Sequence, residues 1–121
     1  MQDFRNLVVW KRAHEFVLEI YRATQHFPRQ EVFGLTSQLR RSAASIPANL
    51  AEGAGRTQSE FCRHIQIAFG SANEAEYHLL LARDLQYLDL MDYESAVERL
   101  KEIKRMLSGL SKKIRLATGK N

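Results

Sequence analysis

The sequence predicts an all-α fold, an up-down-up-down four-helix bundle, from three observations. Apolar residues recur at spacings of three and four almost everywhere. Glycine and proline, at 6 and 2 of 121 residues, are sparse. The apolar runs are joined by short connections, which favour antiparallel neighbours. A chain of 121 residues is long enough for a real core, and residues 1–121 read as one domain without repeats or low-complexity tracts.

The first helix is expected from Leu7 to Phe27, ending before Pro28, which disfavours helical geometry in its predecessor. One stripe on it is Val9, Ala13, Phe16, Ile20, Ala23 and Phe27. A second stripe, Leu7, Trp10, His14, Val17 and Tyr21, lies beside it. Together they exceed the roughly 100° apolar face that a bundle helix needs. The surplus makes the second stripe a candidate oligomer interface.

The second helix is expected over Leu35 to Ala54, with Leu39, Ala43, Ile46 and Leu50 inward and Glu-Gly-Ala-Gly ending it through a left-handed glycine cap. Arg41, Ser45, Asn49, Glu52 and Arg56 share one side, and Arg40, Ala44, Pro47 and Ala51 form a mostly small face. Pro47 lacks an amide and clashes with the Ala43 carbonyl, at about 3 kcal/mol in a helix interior, so a kink is expected there, with Ser45 or Asn49 serving the freed backbone. The small face admits a close partner.

Thr57-Gln-Ser-Glu60 is a capping box that opens a third helix, expected to reach about Leu88. Its core stripe is Phe61, Ile65, Ala68, Ala72, Ala75, Leu79 and Ala82, and its other side carries Ile67, Gly70, Tyr77, Leu81 and Leu85. Gly70, costing about 1 kcal/mol relative to alanine in mid-helix, also suggests close approach. Glu74 beside that face calls for a cationic or hydrogen-bonding partner, with Arg40 or Arg41 expected. Asp92 is the expected N-cap of a fourth helix. Ala96, Leu100, Ile103, Leu107, Leu110 and Ile114 form its seam, Lys101, Arg105, Ser108, Lys112 and Arg115 its outer face, and residues 116–121 a frayed tail.

The polar strip Arg40, Arg41, Ser45, Asn49, Glu52, Arg56 and Glu74 has two readings: a network fixing a kinked helix, or a ligand or partner site. Charge adds a second candidate. The net charge is +4, yet Glu74–Glu98 holds seven acids and one base, whereas residues 99–121 hold eight bases and one acid. Such asymmetry fits an anionic partner such as nucleic acid, or a solvated helix face. Lys101, Lys104, Arg105, Lys112, Lys113 and Arg115 are the candidate phosphate contacts.

Catalytic and metal signals are thin. Glu60 and His64, and Glu74 and His78, are each four apart, but both pairs lie on one helix, unlike the di-iron arrangement spread over a bundle. The expectation is no enzyme, no metal and no cofactor. Cys62 reads as a small packed hydrophobe. A single cysteine, a charged N-terminus and no apolar run of about 20 residues point to a cytoplasmic protein that does not cross a membrane.

FGLTSQLRRSAASIPANLAEGAGR followed by EFCRHIQIAFGSANEAE, with NLVVWKRAHEFVLEIYRAT near the N-terminus, resembles the four-helix-bundle family named for intervening sequences in 23S rRNA genes. The resemblance spans nearly the whole chain. It implies a bacterial protein assembled as a ring-shaped homopentamer, similar to the accessory protein of diversity-generating retroelements, which binds nucleic acid and a reverse transcriptase. The signature falls here on Arg40, Arg41, Ser45, Pro47, Asn49, Glu52, Gly53, Gly55, Arg56, Gly70, Ser71 and Glu74, and the family assigns none of them a catalytic role. Two functions follow: an oligomeric adaptor binding RNA or other nucleic acid, or a structural, protein-interaction ring without nucleic acid.

Overall fold

The computed structural model describes residues 3–117. Four long helices are present: α1 (Val8–Thr24), α2 (Leu35–Ala54), α3 (Gln58–Asp84) and α4 (Leu90–Ala117), with short 3-10 turns at Phe4–Asn6 and Arg29–Glu31. Side-chain pairs fix the order as antiparallel throughout. Arg40 of α2 meets Thr24 of α1, Asn49 meets His64 of α3, Lys104 of α4 meets Asn73, and Arg99 meets Glu19. Each helix packs on its neighbours around the square, α4 closing on α1, and among the described residues the backbones of the diagonal pairs do not come within 8 Å. The α1–α2 face is therefore opposite the α3–α4 face.

The core follows the predicted stripes. All seven residues of the α3 stripe are buried, as are Leu39, Ala43, Ile46 and Leu50 of α2. On α4, Ala96, Leu100, Ile103 and Leu107 are buried, while Leu110 and Ile114 are half-buried where the bundle opens.

Helix ends depart from expectation more than helix faces do. α1 stops at Thr24, whose hydroxyl donates to the Ile20 carbonyl at 2.7 Å, and Phe27 enters the core from the turn. α2 begins after Gly34, which has no side chain to cap with. Glu31 supplies the cap instead, its Oε1 accepting from the Leu35 amide at 3.0 Å. A Cβ on Gly34 would lie 2.6 Å from that oxygen, so the glycine makes room for the cap. α2 remains helical through Pro47 and ends at Gly55, whose φ of −94° is not left-handed.

α3 ends at Asp84, short of Leu88, in a Schellman motif. The Tyr87 amide donates to the Ala82 carbonyl and the Gln86 amide to the Arg83 carbonyl, both at 2.9 Å, with Gln86 at φ 64°. Asp89, rather than Asp92, caps α4, its Oδ1 accepting from the Asp92 amide at 2.8 Å. Leu116 and Ala117, expected in a frayed tail, are helical, and the rest of that tail, residues 118–121, lies outside the described residues.

Candidate functional site

The basic segment of α4 divides by helical angle. Lys101, Arg105 and Lys112 share the exposed outer face with Ser108. Lys101 lies 4.0 Å from Glu98, a distant exposed pair worth little. Arg105 and Lys112 make no ion pair among the described residues. Lys104 departs from this group. It swings to α3, where its ammonium donates to Glu76 at 2.7 Å and Asn73 at 3.1 Å, leaving its side chain 22% exposed. Lys113 points to the other flank, beside Arg56 in a cleft floored by Ala54, Phe61, Leu110 and Ile114. Arg115 borders a groove with Gln66, Phe69 and Ser111. Three of the six candidate phosphate contacts thus form one open face.

Much of the remaining charge pairs within the subunit. Arg99 reaches Glu19 at 2.8 Å and Arg12 reaches Glu102 at 3.6 Å, tying α4 to α1. The one acid of the basic segment, Glu102, is thereby turned toward α1 while staying partly exposed.

The polar strip also divides. Arg40 is not Glu74's partner: it turns to α1, donating to the Thr24 hydroxyl at 2.7 Å and the Tyr21 carbonyl at 3.3 Å, with its guanidinium 4.4 Å from the Tyr21 ring centre. Arg41 and Glu52 are exposed, and Arg56 lies between Glu52 and Glu60 at 3.6 and 3.5 Å. Glu74 instead meets His78 on its own helix at 3.8 Å.

What remains of the strip staples α2 to α3. Ser45 meets Ser71 at 2.8 Å, and the Asn49 amide donates to the Ser45 carbonyl at 2.9 Å while its oxygen meets His64 at 3.1 Å. Asn49 thus serves the Ser45 carbonyl rather than that of Ala43, the acceptor that Pro47 frees. Gly53 belongs to the same staple, because a Cβ there would lie 2.7 Å from the His64 Cβ. Gly70, by contrast, has open space where its Cβ would be, with none of the described residues within 4 Å of that position outside its own helical turn. His64, Ser71 and Ser42 complete the network, and sequence reasoning did not pair them because the register of α2 on α3 decides it.

Glu74, His78 and Ser42 lie in line, His78 Nδ1 being 3.2 Å from the Ser42 hydroxyl. That order mimics a nucleophile, base and orienting acid, but the environment is wrong for attack. Ser42 is 4% exposed, and its hydroxyl donates to the Leu39 carbonyl at 3.1 Å. Its oxygen is left to accept from His78. Burial pushes the His78 pKa below its ordinary value, partly countered by Glu74. The three residues form an interhelical contact. Among the described residues, no three His, Cys, Asp or Glu side chains converge as metal ligands.

The second α1 stripe and the small face of α2 turn out to be one feature. Trp10, His14 and Val17 meet Ala44, Pro47, Ala48 and Ala51, with Phe4 at one end, around an open cleft of about 350 Å³. Trp10 stacks on His14 at 5.2 Å, and Phe4 packs edge-on against Trp10 at 5.0 Å. Leu7 does not belong to this face. It is 7% exposed and sits in the core, while Tyr21 lies beneath Arg40.

Residues 5–109 match the family model described as 23S rRNA-intervening sequence protein. The fold is similar to that of a crystallised protein of unknown function from the S23 ribosomal protein family of Bacteroides thetaiotaomicron. The two are 31% identical, with a TM-score of 0.80 over 87% of this chain and 96% of that one. No curated protein matches the chain.

Proposed function

This chain belongs to the 23S rRNA-intervening sequence protein family, and we propose that it is a non-enzymatic, self-associating adaptor of the bacterial cytoplasm that binds RNA or other nucleic acid through the outer face of α4. The observation that carries this reading is the open face of Lys101, Arg105 and Lys112, with the neighbouring Glu102 and Glu76 occupied by Arg12 and Lys104. Three phosphate contacts give weak, sequence-tolerant binding. Log K should fall by about 2–3 per tenfold rise in salt.

Self-association through the Trp10–Pro47 cleft supplies what one copy lacks. Because that cleft is on the α1–α2 face, a neighbour seated in it leaves the opposite α3–α4 face of the same subunit uncovered, and closing a ring requires each cleft to take a different surface of the next copy. An array of such faces on one nucleic acid gains avidity by effective concentration. A homopentamer is the arrangement proposed, and a reverse transcriptase is a further proposed protein partner.

The test is titration of labelled structured RNA and duplex DNA at about 50 and about 200 mM salt. Salt-sensitive binding is expected, and the combined variant K101E/R105E/K112E should abolish it while the particle mass is unchanged. Absence of binding at low salt, or binding insensitive to salt, overturns the reading. A second reading, a protein-interaction ring, draws on exposed acids at the other end of α4, Glu94 and Glu98, which could meet a neighbour's bases. Dissociation of the oligomer by the same variant would favour it.

A further inference from the structure

The basic face of α4 does not stand alone. Beside it, between α3 and α4, runs a cleft of about 320 Å³ lined by Asn73, Glu76, Tyr77, Leu80, Tyr93 and Lys104. A separate groove, lined by Gln66, Phe69, Ser108 and Arg115, lies further along the same pair of helices. We propose that this cleft takes single-stranded nucleic acid, with an unpaired base stacked on Tyr77 and the backbone running along Lys101, Arg105 and Lys112. The inference rests on the nucleic-acid reading above and names the form of the ligand.

Three features point to a single strand. Tyr77 is 59% exposed, yet it adjoins a cleft rather than lying on a bare helix face, and among the described residues its one ring contact is a tilted one with His78 at 6.1 Å. An aromatic face of this kind accepts any unstacked base, whereas the bases of a duplex are already stacked on each other. Next, Lys104 is neutralised by Glu76 and holds the Asn73 oxygen, so the Asn73 amide group points its N–H donors away from that contact and can address a base edge. Finally, the cationic line from Lys101 to Lys112 extends about 16 Å along the helix, matched to a short run of phosphates.

Charge also sets where the strand lies. Tyr93 is followed along α4 by exposed Glu94 and Glu98, which repel phosphate, Glu98 lying 4.0 Å from Lys101 at the start of the cationic line. From Tyr77 toward Ser108 the one acid lining the cleft among the described residues is Glu76, which is paired. The strand therefore occupies the Tyr77-to-Ser108 half.

The experiment uses the full chain and fluorescence anisotropy at low salt, with oligouridylate of about ten nucleotides, a duplex of equal length, and an abasic strand of equal charge. Oligouridylate should bind more tightly than the duplex or the abasic strand. Y77A should weaken oligouridylate binding by about 5- to 150-fold, as loss of one stacked base predicts. Y77F should retain it, and neither should alter abasic binding or particle mass. Wild-type binding of the abasic strand as tight as that of oligouridylate overturns the inference, whatever Y77A does. So does Y77A binding oligouridylate as the wild type does, while salt-sensitive binding leaves the broader reading standing. If no strand and no duplex binds at low salt, both readings fall together.

Discussion

Gly53→Ala is a perturbation whose sign depends on the α2–α3 staple. In an open helix the change would be favourable, since alanine exceeds glycine by about 1 kcal/mol in helix propensity. At Gly53 the new Cβ lies 2.7 Å from the His64 Cβ and 3.0 Å from Phe61 Cδ1. Neither atom is the far end of a flexible side chain, so α2 and α3 must part locally. Forced overpacking costs about 1–3 kcal/mol, and a Cβ–Cβ conflict belongs in the upper part of that range. Parting the helices also lengthens the Asn49–His64 contact. The net expectation is a loss of about 1–2 kcal/mol after the propensity gain, read as a lower urea midpoint by circular dichroism. Gly70→Ala is the control, because its Cβ meets nothing among the described residues, and it should stabilise an isolated subunit by up to about 1 kcal/mol. Equal stabilisation by both substitutions would refute the packing of α2 on α3 described above.

Other substitutions test the helix ends and the half-buried histidine. Glu31→Gln removes the charged cap on the Leu35 amide and weakens the bond from the Tyr87 hydroxyl at 3.0 Å, so it should cost about 1 kcal/mol in urea melts. That carboxylate also holds the Tyr87 pKa above its ordinary value, so E31Q should move the phenol's spectroscopic titration to lower pH. Gln86→Gly should stabilise, by at most about 1 kcal/mol, because the left-handed φ of 64° strains a residue with a Cβ. His78 has a folded pKa lowered chiefly by burial, so between that value and the ordinary 6.5 the unfolded chain binds more protons. Stability should therefore decline as pH falls below about 6.5, and the slope should flatten in His78→Gln.

The fold was legible where one physical signal acts alone. The α2 span, Leu35–Ala54, and the α3 core stripe follow directly from apolar spacing bounded by glycine and by the Thr57 cap. The ends were less legible because side chains from elsewhere set them. Glu31 caps a helix four residues ahead, and Gln86 occupies a left-handed position that glycine or asparagine would have advertised. Spacing likewise placed Trp10, His14 and Val17 on one face, but it could not show that this face shares a cleft with Pro47. Long charged side chains were the least legible. Lys104 and Arg40 each have a stem long enough to choose among neighbours, and each found a partner on an adjacent helix. The tyrosine cleft emerged only once α3 and α4 were set in register, since Tyr77 and Lys104 are remote in sequence.

Sedimentation equilibrium of the wild-type chain at micromolar concentration tests the central claim most directly: the Trp10–Pro47 face joins copies and leaves the opposite α4 face of the same subunit uncovered. The account predicts a closed multiple of the 14.0 kDa subunit that Ala48→Glu, at the exposed wall of the cleft, reduces to single copies. A wild-type particle of 14.0 kDa, or an oligomer indifferent to a charge in that cleft, would contradict it.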